Sequence, residues 1–206
     1  MIPPMPSRRE IERAHAVFQA REPRDLFYKA ATELIRLSDT GASSLSLAEA
    51  LAVLLQTWNR AFYQFRGGFK ETDFTALEAL LSNTAPSLSQ FRRRDIAGLS
   101  EGDSDVIEEL FDKFADVLGP VGAAKSLHLL APRFFPIWDR TIANTYGFHL
   151  PSGDWGGDYV TFMAICRAQC SHLATMNVSE PLKRMDEYNY CRFTTTADLR
   201  RSGSLK

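Results

Sequence analysis

Apolar residues recur at helical spacing along most of this chain, and that periodicity limits the folds open to it. In residues 103–118 the apolar side chains fall on one face of a helix and the acids on the opposite face. The apolar face consists of Val106, Ile107, Leu110, Phe111, Phe114, Val117 and Leu118. No stretch shows the clean apolar–polar alternation of a half-buried strand. We therefore predict an all-α fold.

The length of 206 residues fits one domain, or two small lobes that share a core. We predict a single helical domain over residues 1–206, built as two lobes, with a hairpin core at residues 104–147. Helices are predicted near residues 7–20, 23–38, 46–65, 72–83, 87–97, 103–118, 122–131, 140–147, 156–175 and 179–191. The proline-rich start and the tail are expected to be flexible, over about residues 1–6 and 195–206.

Composition excludes several classes of protein. With 45% hydrophobic and 24% charged residues, the chain has the composition of an ordinary soluble globule. No apolar run approaches the roughly 20 residues of a membrane span, and the first ten residues lack the apolar core of a signal peptide. We expect a cytoplasmic monomer without a membrane partner.

Three cysteines are too few and too unevenly spaced for a disulfide framework. Cys166, Cys170 and His172 lie close together in the sequence, but only the two cysteines share a helical face. A structural zinc site normally takes four ligands at characteristic spacings. We therefore predict buried, unreactive thiols and no metal.

The net charge of −1 hides a segregation of charge. Residues 101–116 carry seven acids and one lysine, a local charge of −6, so the rest of the chain carries +5. A basic face is one interpretation, and scattered solvated residues are the other. The candidates for such a face are Arg92, Arg93, Arg94, Arg133, Arg140, Lys183 and Arg184.

A glycine-flanked turn follows the acidic helix. Gly119 and Gly122 enclose Pro120 and Val121, and apolar helical spacing resumes behind them. A glycine at the head of the second helix lets backbone approach a ligand, and the unpaired N–H groups of a first helical turn can hold a phosphate. The alternative is a plain turn between two helices.

A single aspartate, Asp139, follows the next extended stretch. Pro132 and Pro136 stop helix propagation and favour extended residues before them. Asp139 is then placed as the N-cap of a short helix, and Gly147 as the residue just past its end.

This order of elements, over residues 104–147, resembles the core of the helix-hairpin-helix DNA glycosylase superfamily. The resemblance implies that the hairpin grips the backbone of double-stranded DNA and that Asp139 serves excision of a flipped base. The residues implied for DNA binding are Gly119, Val121, Gly122, Ala123 and Lys125. No cofactor is expected, because the iron–sulfur cluster of some relatives needs four cysteines.

The hairpin departs from the family pattern in two ways. Its Leu118-Gly119-Pro120-Val121-Gly122 sequence swaps the first proline and glycine of the usual motif. The lyases of the family carry a lysine two residues past the second glycine, whereas Lys125 lies one residue further on, about 100° around a helix. Lys125 is therefore a candidate either for a catalytic lysine or for a phosphate-binding or solvated one, and no obligatory covalent step is expected.

The chemistry of base excision suits a carboxylate. Cleavage of an N-glycosidic bond develops positive charge on the sugar, which Asp139 could stabilise while it orients or deprotonates a water. A purely structural helix cap has the same arrangement, so the residue by itself does not separate the two interpretations.

A flipped base needs a stacking pocket. The helix near residues 46–65 offers Gln56, Trp58, Asn59 and Tyr63 for it, and the alternative is that these side chains belong to the core. The polar and aromatic segment from Asp186 to Cys191 either completes such a pocket or belongs to a docked C-terminal helix.

We therefore interpret the chain as a monofunctional DNA glycosylase acting on a modified or damaged base. A non-catalytic DNA-binding module of the same fold and an all-helical protein-interaction domain are the alternatives. A pocket at Asp139 wide enough for a base favours the enzyme, and a sealed apolar surround excludes it.

Overall fold

The computed structural model describes residues 5–58, 63 and 67–194, and these residues form an all-helical fold without strands, as predicted. The α-helices of this part of the chain are α1 (Arg8–Arg21), α2 (Leu26–Asp39), α3 (Leu47–Trp58), α4 (Glu71–Ser89), α5 (Ser104–Leu130), α6 (Arg140–Thr145), α7 (Trp155–Thr175) and α8 (Pro181–Asn189). Short 3₁₀ turns lie at Ile96–Gly98, Glu101–Asp103 and Leu150–Ser152, and a π-helical turn, Tyr190–Thr194, follows α8.

Most predicted helices are present, but one is absent and two others are joined into a single helical span. The helix predicted near residues 87–97 is wrong, since α4 ends at Ser89 and the chain then turns. Leu88 and Phe91 are buried three residues apart, which is helical spacing, but Phe91 enters the core from a turn and Ile96 from a 3₁₀ segment. The predicted flexible ends fall largely outside the described residues, at residues 1–4 and 195–206.

The two helices predicted on either side of the hairpin form one long helical span, α5, in which only Gly119 leaves helical geometry. Gly119 has φ 73° and ψ 161°, a conformation that is open almost only to glycine. Pro120 follows at once, where its missing N–H costs nothing because a first helical turn has no partner for it.

Helix α5 lies at the centre of the fold and contacts α2, α3, α4 and α7. Every residue from Gly122 to Leu130 is buried, which is typical of a helix surrounded by others. On its first half, the Phe111 ring stacks on Tyr159 of α7 with ring centroids 4.0 Å apart. The extended segment behind α5 adds Trp138, which is fully buried against both rings.

The C-terminal helix α8 packs on α1 and α7, so the two ends of the described chain meet. Glu187, buried in this contact, accepts hydrogen bonds from His15 Nδ1 at 2.7 Å and Arg184 Nη1 at 3.0 Å. The neighbouring Asp186 lies about 100° around α8 from Glu187 and faces a cavity.

Within the described part of the chain, none of the helices combines the length and apolar character needed to cross a membrane.

The geometry of Gly119 leads to a stability prediction. Gly119→Ala should lower the free energy of unfolding by about 1–3 kcal/mol, because a side chain is strained at that φ and ψ. Urea unfolding monitored by circular dichroism measures the change. Gly98→Ala is the matched control, since Gly98 has ordinary φ and a Cβ there meets no heavy atom within 4 Å. Equal effects of the two substitutions would contradict the strained hairpin.

Candidate functional site

Asp139 is the N-cap of α6, as predicted, and both of its carboxylate oxygens are held. Oδ1 accepts a hydrogen bond from the Ile142 backbone N–H at 2.7 Å, and Oδ2 accepts one from the Thr194 hydroxyl at 2.6 Å. The preceding residue, Trp138, is fully buried, which fixes the backbone just before the cap. Each oxygen keeps lone-pair capacity, so this oriented carboxylate can still bind another group. Gly147, with φ 92°, lies just past the end of α6, also as predicted.

Asp139 opens into a cavity of about 510 Å³, which we call the aspartate pocket. Its walls come from α1, α2, α3, α5, α6 and α8. The segments that join α1 to α2, precede α6 and follow α8 complete them. The lining residues are Phe18, Glu22, Asp25, Phe27, Tyr28, Thr57, Trp58, Lys125, Ile137, Asp139, Ile142, Lys183, Asp186, Tyr190 and Thr194. The volume lies within the roughly 300–1,000 Å³ of typical small-molecule sites.

Lys125 lies in the wall of this pocket and is almost fully buried. Its ammonium donates a hydrogen bond to the Trp58 carbonyl at 2.7 Å and sits 5.2 Å from the centroid of the Trp58 ring. Burial lowers the pKa of Lys125 to about 8, although the carboxylates of Asp139 and Asp186 oppose the shift. Lys125 therefore loses its proton at a lower pH than an exposed lysine does, but it is still mostly charged at neutral pH.

Asp186 is the second aspartate that faces the pocket from the C-terminal half of the chain. Burial raises its pKa to about 6, and the carboxylates of Glu187 and Asp139 add to the rise, while Lys183 and Lys125 oppose it. Among the residues that the structure describes, none donates a hydrogen bond to this carboxyl. The carboxyl therefore keeps its proton to a higher pH than an exposed aspartate does.

Aromatic side chains form another wall. The rings of Phe27 and Trp58 lie with centroids 5.6 Å apart, and Phe27 is 40% exposed at the pocket edge. The Tyr28 ring lies 3.9 Å from the Lys183 ammonium, which is also 2.9 Å from Asp25 Oδ2. These flat surfaces can stack on a planar ligand.

A buried histidine supports this wall from behind. The Phe135 carbonyl can only accept, so the 2.7 Å contact to His128 Nδ1 shows that Nδ1 carries the proton. Nε2 then accepts from the Tyr28 hydroxyl at 2.9 Å. Burial lowers the pKa of His128 to about 4, which keeps it neutral. His128 therefore orients Tyr28 and is itself outside the aspartate pocket.

The structure brings Asp139, Lys125 and Trp58 together, three of the candidate residues found in the sequence. Gln56 is exposed and Tyr63 is buried, and neither lines the aspartate pocket. Asn59 lies outside the described residues.

The predicted DNA-binding hairpin does not line the pocket, apart from Lys125. Gly119 and Val121 are half-buried at the kink, whereas Gly122 and Ala123 are buried. A Cβ on Gly122 would lie 2.9 Å from Leu118 Cβ, so Gly122 allows the close packing of this turn.

Most of the basic residues proposed for a DNA face are paired with acids. Arg92 pairs with Asp39, Arg94 with Asp103, Arg133 with Asp95, Lys183 with Asp25, and Arg184 with Glu187. Arg93 and Arg140 are exposed and form no ion pair with the described residues. The accessible positive charge beside Asp139 is therefore that of its neighbour, Arg140.

Several pocket residues had no distinctive signal in the sequence. Phe27 and Tyr28 belong to an early amphipathic helix with no motif, Asp25 precedes that helix, and Thr194 is the last residue before the tail that was expected to be flexible. The segment from Asp186 to Cys191 did stand out by its density of polar and aromatic groups. Of its two interpretations, pocket completion holds for Asp186 and Tyr190, while Asn189 is bonded to the buried Tyr146 hydroxyl.

Cys166 and Cys170 are buried free thiols, as predicted, and Cys191 is half-buried. Over residues 5–58, 63 and 67–194, no three His, Cys, Asp or Glu side chains are grouped as metal ligands would be. Comparison of the chain with models of protein families, with curated proteins and with solved structures finds no match.

The half-buried Asp186 should reduce stability at neutral pH. Its pKa is raised from 3.8 to about 6 in the folded protein, so the unfolded chain ionises first and stability falls as pH rises through that window. Asp186→Asn removes this loss. We expect the variant to gain about 1–3 kcal/mol over the wild type between pH 4 and pH 7, because a tenfold change in proton affinity is worth about 1.4 kcal/mol. Urea unfolding at both pH values measures it, and a pH-independent difference would contradict the burial of this acid.

Proposed function

We propose that this protein is a monofunctional DNA glycosylase that hydrolyses the N-glycosidic bond of a modified or damaged base. The observation that carries the proposal is the placement of Asp139. Its carboxylate is oriented through both oxygens and faces an open cavity of about 510 Å³ with aromatic walls. A cap with a structural role alone has no need of such a cavity.

In the proposed reaction, Asp139 acts on the sugar side of the bond. As the bond between C1′ and the base nitrogen breaks, positive charge develops on the sugar, and a fixed carboxylate stabilises it without reorganising. Water then attacks C1′ and transfers a proton to Asp139. The products are the free base and an abasic site.

The aromatic wall supports the binding of a flipped base. Trp58 and Phe27 offer ring faces at the pocket, and base–aromatic stacking contributes about 1–3 kcal/mol. The cavity has room for a planar heterocycle, and Tyr28 is held in one orientation by His128.

Lys125 takes a supporting role in this proposal. Its ammonium is bound to the Trp58 carbonyl and lies near two carboxylates, whose charges it offsets. This placement supports a monofunctional hydrolysis, in which water rather than an amine attacks the sugar.

The hairpin and the helical lobes on either side of it are proposed to hold the DNA. Gly119 and Val121 are half-buried at the kink, and the Val121 N–H at the start of the turn that follows is proposed to contact a phosphate. Exposed Arg140, next to Asp139, supplies positive charge at the same end of α6. Such contacts fix register on the duplex without reading its sequence.

The alternative functions make different demands on the site. A non-catalytic DNA-binding module would not need an oriented carboxylate in a cavity, and a protein-interaction domain would not bind duplex DNA with a salt dependence. The geometry at Asp139 favours the enzyme over both.

The test is Asp139→Asn, assayed on duplexes that each carry one modified base, with alkali used to reveal abasic sites. Asparagine is as good an N-cap as aspartate, so stability should change by less than the roughly 0.5–2 kcal/mol lost on full cap removal. Excision should fall by at least about 100-fold, while duplex affinity is retained, because the lost charge acts on the transition state.

Asp73→Asn is the matched control. Asp73 also accepts a backbone hydrogen bond at a helix start, from Lys70 at 2.8 Å, but it lies outside the aspartate pocket. It should excise at the wild-type rate. A well-folded Asp139→Asn protein with normal excision would contradict the mechanism, and a wild type that excises no base would contradict the function.

A further inference from the structure

Four carboxylates line the aspartate pocket, and one of them differs from the others in its bonding. Asp139 is held by hydrogen bonds, Asp25 is paired with Lys183, and Glu22 is exposed. Asp186 is half-buried and lines the pocket, yet none of the described residues donates a hydrogen bond to its carboxyl. A carboxyl that faces a cavity and has no hydrogen-bond partner among the described residues is free to bond a ligand there.

The packing around Asp186 keeps it unpaired. Glu187, its neighbour about 100° around α8, takes the hydrogen bonds of His15 and Arg184. Asp186 lies instead between the aspartate pocket and a narrow cleft lined by His128, Pro136, Ile137, Cys166, Leu182, Met185 and Asn189.

The charges that face Asp186 come from three elements. Lys183 and Glu187 lie on its own helix, Lys125 on α5 and Asp139 at the head of α6. The uncharged titratable groups nearby are Tyr28, His128 and Cys166. No ion pair within 4 Å forms between Asp186 and either described lysine. A carboxyl in such surroundings is a proton donor at mildly acidic to neutral pH.

We propose that Asp186 is a second catalytic residue, the general acid that protonates the departing base, in a reaction for which Asp139 is the carboxylate on the sugar side. This inference rests on the proposed glycosylase function. As the C1′–N bond breaks, its electron pair goes to the base, which receives the proton of Asp186. Water adds to C1′ and gives a proton to Asp139. One proton later passes from Asp139 to Asp186 through solvent, and the enzyme is restored.

A general acid determines the class of substrate. A cationic alkylated base, such as 7-methylguanine, leaves as a neutral molecule and needs no proton. An uncharged base leaves as an anion unless it is protonated, and general acid catalysis contributes about 10²–10⁴-fold in rate. The pocket therefore fits an enzyme for uncharged modified bases that carry a ring nitrogen or carbonyl oxygen able to accept a proton.

The experiment compares single-turnover excision by the wild type and Asp186→Asn. The probes are duplexes with uracil, hypoxanthine or 8-oxoguanine as uncharged bases, and one with 7-methylguanine as the cationic base. For the uncharged base that the wild type excises, Asp186→Asn should lower the rate by at least about 100-fold. Any excision of 7-methylguanine should change by less than about threefold.

The pH profile gives a second readout that a structural role would not move. Because the acid must carry its proton, the wild-type rate on an uncharged base should fall as pH rises above about 6. This limb should be absent in Asp186→Asn. Asp158→Asn is the control, since Asp158 is also a half-buried aspartate with a pKa raised by burial but lies outside the pocket. Asp158→Asn should excise at the wild-type rate and should show the same fall in rate above about pH 6.

The outcomes distinguish a failure of the general acid from a failure of the proposed glycosylase function. Excision of an uncharged base by the wild type, with an unchanged rate and pH limb in a folded Asp186→Asn, would overturn the general acid alone. Excision of 7-methylguanine only would overturn the substrate class. If the wild type excises none of these bases nor any of the wider modified-base panel, the proposed function fails and the inference with it.

Discussion

The hydrogen bond from Trp138 to the kink in α5 fixes the central helix relative to the start of α6. Trp138 Nε1 donates to the Pro120 carbonyl at 3.1 Å, and the ring is fully buried against Phe111 and Tyr159. A buried tryptophan removes roughly 150–250 Å² from water, so its position tolerates little displacement. Since Asp139 is the next residue, the kink in α5 and the candidate catalytic carboxylate are fixed relative to each other.

The aspartate pocket gathers charges that a protein selected for stability alone would not bury together. Lys125 and Asp186 both have pKa values moved toward neutrality by burial, the first to about 8 and the second to about 6. Groups shifted in this way, and placed in one cavity, are typical of functional sites. Around them the fold is conventional, with an apolar centre in α5 and ion pairs on the surface.

The parts of the structure that local sequence encodes could be predicted. Pro136 and Asp139 mark the start of α6 by backbone chemistry alone, and the glycine at position 119 marks the kink in α5. The prediction failed near residues 87–97, because buried Leu88 and Phe91 have helical spacing although the helix ends between them, at Ser89. Helical spacing of apolar residues indicates which residues are buried, and in this segment some of the buried residues lie in turns.

The pocket itself was only partly predictable, since its walls come from segments far apart in the chain. Asp139 and Lys125 could be identified because they adjoin the hairpin. Tyr28 and Asp186 reach the same cavity only after α8 has packed on α1 and α7, and no local pattern encodes that contact. The Asp186–Cys191 segment was noticed for its composition, but its role needed the tertiary structure.

The proposed role of Asp139 is to stabilise positive charge at C1′ of a flipped nucleotide. This role can be tested without knowing which base is excised. Two duplexes are compared for affinity, one with a cationic pyrrolidine in place of the sugar and one with neutral tetrahydrofuran. The wild type should bind the cation at least roughly tenfold more tightly, about 1.4 kcal/mol, and Asp139→Asn should lose that preference. Equal affinity of the wild type for the two duplexes would contradict the account.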